Sequence, residues 1–270
     1  MLFGNNLLIV RSGGDLATGI IYRLHKAGFP LMVLELKRPL VVRRRVALAT
    51  AVLEGQITVE GLRGQRVDTV AEAVALAATG VIPVLVAPQL PDGVAPTAII
   101  DARMAKRNLD TRIDQAPLVV ALGPGFTAGV DCHAVIETMR GHRLGRVIWQ
   151  GSAQANTGTP GIVAGKGAER VLRAPVAGVV QWQVVIGESV TAGARLGQVA
   201  GQPIVAPFAG VLRGLIASET AVSANLKIGD LDARNDRAAC FTISDKALAI
   251  GGGVLEAVLT HLNEATVDSA

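Results

Sequence analysis

The chain has 270 residues, half of them apolar and 3% aromatic, with a formal charge of +4. That length holds one large domain or two or three small ones, with ample core. No run reaches the ~18 uninterrupted apolar residues of a spanning helix, and so few aromatics leave no stacking platform for single strands, so neither a membrane nor a nucleic acid is an expected partner.

The opening MLFGNNLLIVRSGGD meets glycines at once. It has no basic leader and no small-residue cleavage site, so LLIV (7–10) reads as a first strand and not as a signal peptide. Two cysteines, Cys132 and Cys240, suit a reducing compartment, although they could in principle pair, and the cytoplasm is the expected location. DLATGIIYRLHKAG (15–28) places Leu16, Ile20, Leu24 and Ala27 on one helical face, with Gly28 as its stop. LMVLEL (31–36) is a second, buried strand. RRRVALATAVLEG (43–55) carries a helical stripe closed by Gly55, and VDTVAEAVALAATG (67–80) another closed by Gly80. VIPVLVAP (81–88) and PTAIIDA (96–102) read as strands. Strands alternating with helices predict a parallel sheet covered by helices, a Rossmann-like α/β domain over 1–116.

From Pro117 the pattern changes. PLVVALGPGF is a buried strand running into glycines, and HAVIET and GRVIWQG read as two strands joined by MRGHRL. NTGTPG (156–161) is a loop. RAPVAGVVQWQVVIGESVTAGARLGQV from Arg173 and VAPFAGVLRGLIASETAVSANLKIGDL from Val205 then align without a gap, so that Ala174, Pro175 and Gly178 match Ala206, Pro207 and Gly210. An ungapped duplicate means two copies of one supersecondary unit, each covering the other's apolar face. The repeat resembles the barrel-sandwich hybrid of biotinyl and lipoyl carriers. The connection VAGQPIV (199–205) lacks the lysine such carriers modify, so the module reads as structural or docking. In DKALAIGGGVLEAVLTHL (245–262) a helix is expected after Gly253. The domains are then 1–116; a β-rich, α+β connecting domain of 117–170 with 236–265; and the repeat module, 171–235.

Several places could carry chemistry. RSGGDLATG follows a strand and opens a helix, where backbone N–H groups and the helix dipole receive phosphate. Gly13, Gly14, Asp15 and Thr18 are the candidates there, although the spacing is not G-x-G-x-x-G. Glu35 ends the second strand, where dinucleotide folds place an acid for the ribose. The plain alternative is a tight turn with Asp15 as helix cap. Arg43, Arg44 and Arg45 open a predicted helix, where cations sit badly unless an anion is bound; the plain alternative is a solvated charged face. Asp101, Lys106, Arg107 and Asn108, at the carboxyl end of a strand, suit a phosphate or pterin-like ligand, with an ordinary strand-to-helix loop as the alternative. Gly123 and Gly125 form a glycine turn beside Glu137, Arg140 and His142, which offer an acid, a fixed cation and a titratable base at a hairpin tip. The alternative is a Glu–Arg pair steadying a hairpin. Cys132 and His133 are adjacent and diverge on a strand, and no chelating spacing occurs, so no metal site is expected. Asp230, Asp232 and Arg234 alternate along LKIGDLDARND as an ion-pair ladder or a contact for a cation or partner.

RSGGDLATG, KRPLVVRRRVALATAV, DARMAKRNLDT, LGPGFTAGVDCHAVIETMRGHRLGRVI, NTGTPG, KIGDLDAR and SDKALAIGGGVLEA, in this order, resemble the YqeB-type proteins of the selenium-dependent molybdenum hydroxylase system. The likeness runs over nearly the whole chain, with Ser12 standing where a glycine is expected. It implies an accessory, chaperone-like role in hydroxylase maturation. The expected cofactor is a molybdopterin-type group or a nucleotide, and the expected partners are the hydroxylase or its maturation proteins, with a homo-oligomer as a further option. Two other readings stay open. One is an NAD(P)-linked oxidoreductase of small molecules, resting on the strand-turn-helix and Glu35. The other is a non-catalytic docking scaffold.

Overall fold

A computed structural model describes residues 1–158, 161–162 and 164–267. It is mixed α/β, with one large sheet rich in parallel pairs and several antiparallel sheets. The chain folds as two compact units. The first is Met1–Pro39, Leu48–Asn156 and Ile243–Ala270; the second is Leu40–Ala47 and Thr157–Thr242.

In the first unit the apolar runs become strands hidden on both faces. The strands are β1 (Leu8–Arg11), β2 (Leu31–Glu35), β3 (Gln56–Val59), β4 (Leu62–Val67), β5 (Ile82–Val86), β6 (Ala98–Asp101), β7 (Leu118–Leu122), β8 (Thr127–Ala128), β9 (Ala134–Ile136), β10 (Val147–Ile148) and β11 (Gly151–Ser152). Nine of them form one sheet in the order β10-β9-β7-β6-β1-β2-β5-β4-β3. Strands β4, β5, β2, β1, β6, β7 and β9 run parallel, and β3 and β10 close the edges antiparallel. Every residue of β1, β2, β6 and β7 is buried, which is why these stretches read as continuous apolar runs and not as alternation. The order reverses at β1, with β2 on one side and β6 on the other.

Among the described residues four helices accompany the strands: α1 (Asp15–Ala27), α2 (Ala51–Glu54), α3 (Val70–Ala77) and α4 (Asp245–Val267). Gly28 ends α1 at φ +96, a conformation that favours glycine. Thr69 and Glu72 form a capping box at the start of α3, worth about 1 kcal/mol. The expected boundary at 116/117 falls between β6 and β7, which pair directly.

Three expectations need correction. The stripe at 43–55 is no continuous helix. It breaks into short 3-10 turns at Arg44–Val46 and Leu48–Thr50 before α2. The break lies where the chain passes from the second unit back to the first, and Ala49 N is tied to Gly13 O at 2.8 Å. Asp15 does not cap α1, because Gly14 occupies that position. The last helix begins at Asp245, not after Gly253, so its glycines are interior. They permit close packing: a Cβ on Gly251 would lie 2.5 Å from Gly19 O in α1, and one on Gly19 would lie 2.5 Å from the Ala247 carbonyl carbon. That contact outweighs the ~1 kcal/mol a helical glycine costs. The hairpin β3–β4 has no counterpart among the expected elements. Its turn is Glu60–Gly61, both at positive φ, the geometry of a primed two-residue turn.

The second unit holds β12 (Val171–Arg173), β13 (Gly178–Trp182), β14 (Ser189–Val190), β15 (Arg195–Val199), β16 (Gln202–Val205), β17 (Gly210–Leu215), β18 (Ala221–Val222) and β19 (Lys227–Asp232). Strand starts repeat 32 residues on: Gly178 to Gly210, Ser189 to Ala221, Arg195 to Lys227. The two four-stranded sheets are β12-β19-β17-β14 and β16-β15-β13-β18. Each sheet mixes strands of both copies, in equivalent order. Neither copy can close a core alone, so Val180, Leu196, Leu212 and Ile228 share one cluster. Of the expected loop NTGTPG, residues 159 and 160 lie outside the described residues.

Candidate functional site

The carboxyl ends of the parallel strands bring most of the candidate residues of the first unit to one edge. At the end of β1, Ser12 takes φ +88, unusual for a residue with a Cβ. Its strain is held by Glu35 at the end of β2. The Glu35 carboxylate accepts from Gly13 N at 2.8 Å, Leu36 N at 2.8 Å and Ser12 Oγ at 3.3 Å. Glu35 therefore braces the turn. Thr18 is also spent within the fold: its hydroxyl donates to Gly14 O at 2.9 Å and accepts from Leu48 N at 3.0 Å.

The two glycines differ. A Cβ on Gly13 would lie 2.7 Å from Ala49 N, so backbone packing demands a glycine there. On Gly14, at φ −61, a Cβ would meet nothing nearer than Ser12 Oγ at 3.7 Å. Gly14 leaves an open cradle at the head of α1, where its own N–H donates to Ser12 Oγ at 3.3 Å.

Beneath the edge lies a buried charge network that sequence reading only touched. Arg11, 2% exposed, ends β1 and pairs with Asp110 at 2.8 Å. Arg103 bridges Asp101 at 2.6 Å and Asp110 at 2.7 Å, and Thr111 Oγ1 donates to Asp101 at 2.6 Å. The hydrogen bond from Arg11, reinforced by Arg103, holds the Asp110 carboxyl down at about 2. Burial pushes Asp101 upward, but the hydrogen bonds from Arg103 and Thr111 together outweigh it, and its pKa lies below the usual range. A lone charge closing the apolar run LLIV was the available signal for Arg11.

The glycine turn after β7 meets the basic loop after β6. A Cβ on Gly125 would lie 2.5 Å from Arg107 N, and one on Gly123 would lie 2.5 Å from Thr138 Oγ1. Met104 and Lys106 take positive φ in that loop. Lys106 and Arg107 are exposed. Asn108 is engaged: its amide donates to Thr111 O and Asp131 Oδ1, both at 2.8 Å.

Glu137, Arg140 and His142 share a hairpin without converging. Glu137, 1% exposed, accepts from Met139 N at 2.7 Å and Gln154 N at 2.8 Å. Arg140 forms a two-pronged pair with Asp245 at 2.7 and 2.8 Å, and His142 is exposed. One further residue comes to this edge with no signal in the sequence. Lys246, half-buried at the start of α4, lies in the field of Arg140, Asp15, Glu137 and Asp245. Burial, then Arg140, draws its pKa below the lysine range. Helix α4 packs along α1 with Ala247 against Gly19, so both helix N-termini face the same edge.

Arg43 and Arg44 belong to the second unit, where Arg43 Nη2 donates to Ala239 O at 3.0 Å and Arg44 Nε to Leu215 O at 2.8 Å. Cys132 is buried, and that burial raises its thiol to about 12. His133 Nδ1 accepts from Val119 N at 2.9 Å. Among the described residues no three His, Cys, Asp or Glu side chains gather as a metal set, and no helix is long and apolar enough to cross a membrane. A surface depression of about 700 Å³, lined by Val94–Thr97 and Asp114–Pro117, lies at the amino ends of β6 and β7, away from this edge.

No family model matches the chain. It is 47% identical over 263 residues to an Escherichia coli (strain K12) protein named "Uncharacterized protein YqeB". The match takes in 97% of this chain and 49% of the relative, so the chain spans about half the relative's length. An aspartoacylase family protein from Mesorhizobium loti aligns over 84% of each chain at 13% identity, with a TM-score of 0.29. A succinylglutamate desuccinylase/aspartoacylase from Rhodobacter sphaeroides aligns over 24% of this chain and 22% of its own at 16% identity, with a TM-score of 0.23. Neither score is high enough to carry a fold or an activity over.

Proposed function

The chain belongs to the YqeB-type family, and from that premise we propose that it binds an anionic cofactor, a nucleotide or a molybdopterin-type group, and delivers or modifies it during maturation of a selenium-dependent molybdenum hydroxylase. The observation that carries the binding reading is the open cradle at Gly14. It lies at the head of α1, beside the point where the strand order reverses between β2 and β6. Open α/β sheets take ligands outside the carboxyl ends of the strands at such a reversal. The same order supports a Rossmann-like description of the first unit. The interleaved repeat supports a barrel-sandwich-hybrid description of the second, with Ala200 and Gly201 at the hairpin tip and no lysine for a carrier arm.

The donor set suits a phosphate. Backbone N–H groups of the first turn of α1 would face it, and the Lys246 ammonium would add a charge. Such a cofactor, when bound, supplies the reactive chemistry, and the chain's residues bind and orient it. Glu35 and Glu137 fix the two turns that frame the site. The buried ion network of Arg11 and Asp101 gives it a rigid floor. With Glu35 occupied by backbone donors, a ribose-binding acid in the dinucleotide manner has less support than phosphate binding at Gly14.

Gly14→Val tests the reading, because the added Cβ enters the cradle with Ser12 Oγ as its nearest neighbour, at 3.7 Å. The variant keeps the wild-type melting temperature and loses at least tenfold in affinity for the phosphate-bearing ligand found by native mass spectrometry of freshly purified protein. If the protein carries no such ligand, and neither nucleotides nor a molybdenum pterin changes its melting temperature, the reading fails. A docking scaffold then takes its place.

A further inference from the structure

In the second unit, β17 and β19 pair through a bulge. Leu212 faces Leu231 and Gly214 faces Asp230, so Arg213 is the extra residue. A bulge re-aims one side chain, and this one turns Arg213 toward Asp230 and Asp232. The Arg213 side chain is only 12% exposed. Its nitrogens stay 4.0 Å from Asp230 and 3.9 Å from Asp232, outside hydrogen-bond reach.

Those carboxylates are already committed. Arg170 Nη1 donates to Asp230 at 2.6 Å, and Arg234 holds Asp232 through Nε at 3.0 Å and Nη2 at 2.5 Å. Arg213 Nε is fully buried and makes no hydrogen bond. Arg43 stands nearby as a second cation. Burial first, then repulsion from Arg43, draws the Arg213 pKa below its usual range in spite of both aspartates.

The surroundings are rigid. The segment Leu40–Ala47 crosses β17 so closely that a Cβ on Gly214 would lie 2.9 Å from Val42 O. Arg43 is fixed by its bonds to Ala239 O and Thr242 O. A desolvated guanidinium nitrogen with no acceptor is costly, and an unpaired buried donor calls for an ion or ligand. A tetrahedral oxyanion offers two oxygens to one guanidinium fork and a countercharge to Arg213.

We propose that Arg213 and Arg43 form a binding site for a phosphate-like oxyanion in the second unit, independent of the cradle at Gly14. Its ligand is either free phosphate or the phosphoryl end of a small ester. The bulge sets the site's geometry, and Asp230 and Asp232 orient its floor without neutralising Arg213.

Isothermal titration of the full chain with inorganic phosphate, and separately with glycerol 3-phosphate, tests this. A saturable equivalent is expected that weakens at least tenfold in Arg213→Met and persists in Lys246→Met, which removes a charge beside the Gly14 cradle and so separates the two sites. Binding of the ester but not of free phosphate identifies a phosphoryl group as the ligand. Arg213→Lys, which keeps the charge but loses the fork, weakens binding by a smaller factor and serves if the methionine variant does not fold. Absence of binding in both titrations overturns the proposal. So does binding that is unchanged in Arg213→Met or, where that variant does not fold, in Arg213→Lys.

Discussion

Each unit buries an arginine on a strand of its sheet, and the two are treated differently. Arg11 in the parallel sheet has Asp110 at 2.8 Å, with Thr111 and Pro88 O completing its shell. Arg213 in the interleaved repeat has two carboxylates at about 4 Å and no hydrogen bond at its buried Nε. A buried charge with a full set of acceptors is part of the framework. One whose nearest acids are committed to other partners is poised for something else. The same residue type at similar burial thus carries opposite readings, and only its acceptors separate them.

The strongest way to break the comparison is to remove a framework acid. Asp101→Ala leaves Arg103 and Thr111 without their buried partner and is expected to lower stability by about 3 kcal/mol in chemical denaturation. The paired test is sharper though smaller. Arg11→Met should cost about 2 kcal/mol, because charged hydrogen bonds are lost. Arg213→Met in phosphate-free buffer should instead raise stability by about 1 kcal/mol, because an apolar side chain replaces an unmatched buried charge. Equal losses in both variants would erase the distinction.

Acid titration probes the framework alone. The Asp110 carboxyl is held at about 2, below the ordinary value of 3.8. A depressed carboxylate stabilises the fold fully above its unfolded value, and that contribution is lost as pH falls from about 4 toward 2. Asp110→Asn should therefore flatten that stretch of the stability–pH curve. The smallest effect concerns the thiols, one in each unit. Burial raises both, Cys132 to about 12, so neither should react with a thiol-specific disulfide reagent at about pH 8 until the protein unfolds.

Much of the first unit was legible because its strands are continuous apolar runs and its helices end in glycine. Gly28, for instance, both stops a helix and takes a left-handed φ. The repeat was legible to the residue, since the 32-residue register of matched glycines reappears in the strand starts. The site was legible only in part. Gly13 and Gly14 look alike in the sequence, yet one is pressed against Ala49 and the other is open. Glu137, Arg140 and His142 are close along the chain, but Glu137 turns to backbone donors and Arg140 to Asp245, 105 residues away.

The sequence by itself determined the parallel sheet, the duplicated module and the glycine turns at the strand ends, because these follow from apolar patterning and glycine chemistry over short distances. Tertiary structure alone decided that the glycines of α4 lie inside a helix, pressed against Gly19. It brought Lys246 to the edge where α1 begins. It also left Arg213 short of its acids. Each of those outcomes depends on distances between residues far apart in the chain, and spacing along the sequence does not carry them.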